Sequence, residues 1–72
     1  GETGRRIALA VRQLPPEQRD VFLMRVHGDL PFKEIARVQK TSINTVLARM
    51  QYALNKLRGL LEDEYDAVTD RG

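Results

Sequence analysis

Residues 34–58, EIARVQKTSINTVLARMQYALNKLR, decide the fold. Glu34, Ile35 and Ala36 close one short segment with apolar residues at helical spacing, and Ser42-Ile43-Asn44-Thr45-Val46 open a second, longer one. Along the second, Val46, Met50, Ala53, Leu57 and Leu60 follow at intervals of four, three, four and three, which lays one apolar stripe down a helix. Two helices joined by a few residues are the outline of a helix-turn-helix. Its first helix holds the second at a fixed angle, and the second, exposed along its N-terminal half, can enter a DNA major groove. Ala36 suits the crossing, because a small side chain lets two backbones approach without a void or a clash. Ser42 or Thr41 is placed to cap the long helix by accepting an N–H bond from its first turn.

Outward from this stretch, the spacing predicts three more segments of helix and no strand, since apolar and polar residues nowhere alternate for long. A first helix is expected from about Arg5 to Gln13, with Ile7, Val11 and Leu14 on one face, ending where Leu14 meets Pro15. A second starts at Pro16, whose missing N–H costs nothing in a first turn, with Glu17 complementing the positive end of the helix dipole. It runs to about His27, a capping or surface histidine, and Val21, Phe22 and Val26 make it apolar on more than one side, as for a central helix packed on both flanks. Gly28-Asp29 breaks the pattern, and Pro31 restarts a short third helix with Phe32, Ile35, Ala36 and Val38. Phe22 and Phe32 are read as core residues. The fourth helix is expected from Ser42 to about Leu61. The fold class is all-α: a small four-helix domain containing a helix-turn-helix and ending in a long recognition helix.

Length and composition narrow the function. Seventy-two residues make one small domain, which buries only about 60% of its unfolded surface and leaves no room for a catalytic cleft beside the core. With no cysteine and one histidine, His27, no disulfide, metal site or cofactor is expected, and no set of nucleophile, base and oxyanion donors can be assembled for an enzyme. No apolar run approaches the roughly 20 residues of a membrane span, and no signal peptide is seen, so a soluble, cytoplasmic domain is expected. The chain starts Gly1-Glu2-Thr3-Gly4 without methionine and reads as a piece of a longer protein, with residues 1–4 as linker or added residues, 5–61 as the domain, and 62–72 as an acidic tail expected to be disordered. The net charge of +2 hides an uneven layout. Between Pro31 and Arg58, Lys33, Arg37, Lys40, Arg49, Lys56 and Arg58 face Glu34 alone, whereas after Gly59 five acids oppose only Arg71. A basic middle suits a polyanion.

Removing the apolar stripe from the fourth helix leaves Asn44, Thr45, Ala48, Gln51, Tyr52 and Asn55 on its other sides. Asn44 and Gln51 can pair bidentately with adenine, Thr45 can bond a phosphate or base edge, and small Ala48 permits close approach or contact with a thymine methyl. Tyr52 can hydrogen-bond a phosphate or lie along the sugar edge. Lys33, Arg37 and Lys40 lie where the motif crosses the backbone, and phosphate contacts are expected there. Arg49 has two readings: a phosphate or guanine contact, or an ion pair with Glu34 that fixes the angle between the third and fourth helices. With Ser42 at the head of the recognition helix, the expected DNA-facing set is Lys33, Arg37, Lys40, Ser42, Asn44, Thr45, Ala48, Arg49, Gln51 and Tyr52.

Leu14-Pro15-Pro16-Glu17-Gln18-Arg19-Asp20-Val21-Phe22, followed by Glu34-Ile35-Ala36, Thr45-Val46, Arg49-Met50 and Ala53 with Lys56-Leu57-Arg58, resembles the C-terminal, promoter-binding domain of bacterial RNA polymerase sigma factors, especially the extracytoplasmic-function class, over about residues 7–61. The resemblance implies a non-catalytic domain that docks on the flap of the β subunit of core RNA polymerase and reads the −35 promoter element with its last helix. Its partners would be double-stranded promoter DNA, core RNA polymerase and an anti-sigma factor. The family's domain for the −10 element would lie N-terminal to it. The sequence departs from the family pattern in four places: Lys40 and Asn44 stand where glycine is usual, Gln39 where an apolar residue is usual, and Leu47 where many relatives carry a DNA-contacting lysine or arginine. Two alternatives stand beside this reading. One is a response-regulator-type helix-turn-helix output domain, which the Leu-Pro-Pro-Glu opening and long fourth helix disfavour. The other is a sigma-like protein-interaction module with Leu47, Leu54 and Leu61 in its contact.

Overall fold

The computed structural model describes residues 1–69, with side-chain surroundings through Glu62. The order is α1 (Glu2–Arg12), α2 (Pro16–Val26), α3 (Phe32–Gln39) and α4 (Ile43–Thr69), with no strand among the described residues. Helix α1 begins before the expected Arg5, so Glu2, Thr3 and Gly4 are helical; the Arg5 amide donates to the Gly1 carbonyl at 3.1 Å. It stops where the Leu14 amide bonds back to Val11 ahead of Pro15. Ala10, Val11 and Leu14 are buried, but Ile7 is 40% exposed, contrary to the expected Ile7-Val11-Leu14 face. Helix α1 is buried only at Ala10 and Val11, and Ile7 lies at the open edge of a cleft that it lines with Leu23 of α2 and His27 at the end of that helix.

Helix α2 opens at Pro16 with Glu17 in its first turn, as its sequence dictates. Its end is more constrained. The Gly28 amide reaches the Leu23 carbonyl and the Leu30 amide reaches the Met24 carbonyl at 3.0 Å, with Asp29 in the left-handed region at φ 54°. A Cβ on Gly28 would sit 2.8 Å from the Met24 carbonyl oxygen, so the closing turn requires glycine. Arg25 secures the loop: its guanidinium donates to the Leu30 carbonyl at 3.1 Å and lies 5.1 Å from the centre of the Phe32 ring.

Two apolar clusters hold the domain, and α2 joins them through Val21 and Phe22, as expected of a central helix, whereas Val26, expected beside them, is 52% exposed. Phe22 packs with Ala10, Val11, Leu14, Ala53 and Leu57, while its neighbour Val21 packs with Ile35, Ala36 and Val46. Met50 touches both clusters, so α4 is the wall they share. Val21, Ile35 and Val46 are fully buried, and burial of each side chain stabilises the fold by about 1.5–3 kcal/mol. Phe32 lies partly buried against the second cluster. Helix α4 has 27 residues, about 40 Å at the usual rise. Gly59 does not end it, and it continues past the expected Leu61 to Thr69. The rest of the acidic tail, residues 70–72, lies outside the described residues, as do the side chains after Glu62.

Candidate nucleic-acid interface

The site is α3, its turn and the N-terminal half of α4. Helix α3 ends with Lys40 in the left-handed conformation, φ 56° and ψ 47°, which lets the Lys40 amide bond Arg37 at 3.2 Å and the Thr41 amide bond Ala36 at 3.0 Å. A lysine in that conformation costs roughly 1–2 kcal/mol that a glycine would not. The chain then enters α4 through Ser42, whose Oγ accepts the Thr45 amide at 3.1 Å and lies 3.0 Å from the Thr45 hydroxyl. Of the two expected caps, Ser42 is the one that forms, and it holds the Thr45 hydroxyl with it. Below the turn, Ile35 and Ala36 of α3 meet Val46 of α4 and Val21 of α2, so the crossing is fixed by close packing at a small side chain, as Ala36 predicted.

This packing turns Asn44, Ala48, Gln51 and Asn55 away from the core as one exposed face, flanked by Thr45 and Tyr52, the latter 63% exposed. Gln51 Nε2 donates to the side-chain oxygen Oδ1 of Asn55 at 3.2 Å, an exposed bond that a nucleic-acid base could replace. Lys33, Arg37 and Lys40 are exposed along α3 and its turn, with Arg37 3.7 Å from Glu34 one turn back. On the other flank of α4, Ile43, Leu47 and Leu54 are each about half exposed. Leu61, expected to continue that apolar ribbon, instead packs partly buried against the first cluster.

The Arg49–Glu34 ion pair does not form: Glu34 lies 3.7 Å from Arg37 on its own helix, and Arg49 is engaged elsewhere. Arg49 turns toward α2: one guanidinium nitrogen, Nη2, is 3.3 Å from Glu17 Oε2, and the other, Nη1, donates to Gln39 Oε1 at 2.8 Å. Gln39 Nε2 in turn donates to the Glu17 carbonyl at 3.1 Å. Sequence reasoning gave Glu17 only a role at the helix dipole and gave Gln39 none. The available signal was Gln39 itself, an amide where the family resemblance leads one to expect an apolar residue. Because the Glu17 side chain is 72% exposed, the ion pair itself stabilises by only about 0–1 kcal/mol.

A capped helix presenting Asn, Gln and small residues beside a row of cations, held by a close crossing, defines a helix-turn-helix DNA-binding domain. The family model described as sigma-70, region 4 matches residues 4–57, and the chain belongs to that family. It is therefore a DNA-binding domain of the sigma-factor type, acting in transcription and its regulation, in a family that is not one of enzymes. Membership sets aside the response-regulator alternative. No helix among the described residues is long and apolar enough to cross a membrane.

Proposed function

We propose that the domain reads the −35 promoter element with the exposed N-terminal half of α4 and docks on core RNA polymerase at the β-subunit flap. The observation that carries the reading is the face of Asn44, Ala48 and Gln51, presented by a helix that Ser42 caps and the Ile35-Ala36-Val46 crossing orients. Asn44 and Gln51 read base edges, Ala48 allows close approach, and Thr45 and Tyr52 border the groove. Lys33, Arg37, Lys40 and the Ser42 end of α4 meet phosphates, giving affinity and salt dependence without sequence information. Its place of action is the cytoplasm. The isolated domain binds weakly, near the roughly 10⁻⁴–10⁻⁶ M of non-specific complexes, because the polymerase and a second promoter-binding domain supply the remaining affinity.

A protein partner is supported by a separate observation, the half-exposed Ile43, Leu47 and Leu54 along one flank of α4. An anti-sigma factor covering that flank would also cover the reading face. The test of the main reading is fluorescence anisotropy on duplexes selected from a random pool by the domain. Asn44→Ala and Gln51→Ala reduce preference for the selected sequence, while Lys40→Ala weakens all duplexes evenly. Equal, sequence-independent losses from all three would contradict the assignment.

A further inference from the structure

We infer that Glu17, Gln39 and Arg49 form a clamp that sets the angle of the recognition helix, and that Arg49 serves DNA reading as a positioning residue rather than by touching DNA. This rests on the DNA-reading function proposed above. The three side chains come from three helices, and their contacts close a ring: Arg49 to the Glu17 carboxylate at 3.3 Å, Arg49 to the Gln39 carbonyl oxygen at 2.8 Å, and the Gln39 amide to the Glu17 backbone carbonyl at 3.1 Å. The Arg49 side chain is only 23% exposed and points along α4's flank toward α2, away from the face of Asn44, Ala48 and Gln51.

The chemistry of Gln39 is specific to this task. It must accept from a guanidinium and donate to a carbonyl at once, which an amide does, a carboxylate cannot, and an apolar side chain cannot begin to do. The two partners also fix which end of the amide faces which way. Its place in the chain matters equally, because Gln39 is the last residue of α3, immediately before the left-handed Lys40. The ring therefore grips the end of α3 and the second turn of α4 on either side of the turn, and ties both to the first turn of α2. The Ile35-Ala36-Val46 packing sets how closely the helices approach, and the clamp adds a directional constraint that apolar contacts lack.

The test uses the 72-residue chain and Gln39→Leu, Glu17→Gln and Arg49→Ala, none of which alters a core residue. Side-chain NMR signals of Arg49 and Gln39 are recorded without DNA. Binding is then measured against salt on a duplex selected from a random pool by the wild-type domain and on a scrambled duplex. The clamp predicts that Gln39→Leu and Glu17→Gln each shift the Arg49 guanidinium signal. It also predicts that Arg49→Ala lowers preference for the selected duplex roughly two- to fivefold, the scale of a partly exposed pair, with the salt slope unchanged. Gln39→Leu with Arg49→Ala together do no more than Arg49→Ala alone, because the ring acts as a unit. A salt slope that falls by about one in Arg49→Ala with preference intact marks a direct phosphate contact and overturns the inference. So does an Arg49 signal that ignores both partners. A wild-type domain that prefers no duplex defeats the proposed DNA-reading function, and a positioning role with it, even where the side-chain signals show the ring.

Discussion

Replacing Lys40 with glycine is expected to raise the stability of the domain while lowering its affinity for DNA. Lys40 holds φ 56° and ψ 47° at the turn between α3 and α4. For a residue with a Cβ that conformation costs roughly 1–2 kcal/mol, and glycine adopts it freely. Glycine also widens the unfolded ensemble, which returns about 0.4–1 kcal/mol of the gain. The difference leaves Lys40→Gly more stable by about 0.5–1 kcal/mol. In a domain of this size that is a rise in Tm of about 2–8 °C. In the proposed docking Lys40 meets a phosphate, so the substitution is also expected to flatten the slope of log K against log salt by about 0.9. Thermal melts followed by circular dichroism and anisotropy at several salt concentrations read the two effects. Lys40→Ala separates them, since it keeps the Cβ and gains no stability while losing the same charge. A lower Tm for Lys40→Gly would refute the strained turn, and a higher Tm with the salt slope unaltered would refute the phosphate contact.

Ser42→Ala removes the cap on α4 and lowers stability by about 1 kcal/mol, read as a lower urea midpoint; an unchanged midpoint would show that the Ser42 bond to the Thr45 amide adds nothing. Gly28→Ala drives a Cβ against the Met24 carbonyl and destabilises by about 1–3 kcal/mol, which thermal melts detect. Ile35→Ala empties the centre of the second cluster at a cost of about 2–5 kcal/mol, a large part of the total stability of a small domain, and unfolding curves measure it directly. Leu47→Lys adds a cation on the exposed flank of α4 and steepens the salt dependence of DNA binding by about 0.9 in slope; no change would place that flank away from the phosphates.

The core of the fold was legible because it depends on local pattern. The stripe Val46-Met50-Ala53-Leu57, the small Ala36, the break at Gly28-Asp29 and the proline pair at the start of α2 each state a local preference that the packing then satisfies. The misreadings fall where neighbours, not spacing, decide. Ile7 has the spacing of a core residue, but it lies at the open edge of the cleft between α1 and α2 and stays 40% exposed. Leu61 has the heptad spacing of Leu47 and Leu54, yet it lies where the first cluster can reach it. For Arg49 the sequence offers DNA or Glu34 as a partner, both within reach of the helix-turn-helix, whereas its partner Glu17 is 32 positions away and comes into range only once α2 is docked. Side-chain pairing between distant segments leaves no periodic trace. The one clue, Gln39 at a position where an apolar residue was expected, takes on meaning only when the Glu17 carbonyl is seen beside it.

DNA reading by α4 is tested most directly by the change in amide chemical shifts as duplexes from a short library are titrated into the domain at low and at moderate salt. A recognition helix predicts shifts concentrated on Ser42 to Tyr52 that persist for one duplex as salt rises. Shifts equal for every duplex and erased by salt, or absent from that segment, would contradict a recognition helix and favour a protein partner on the Ile43-Leu47-Leu54 flank.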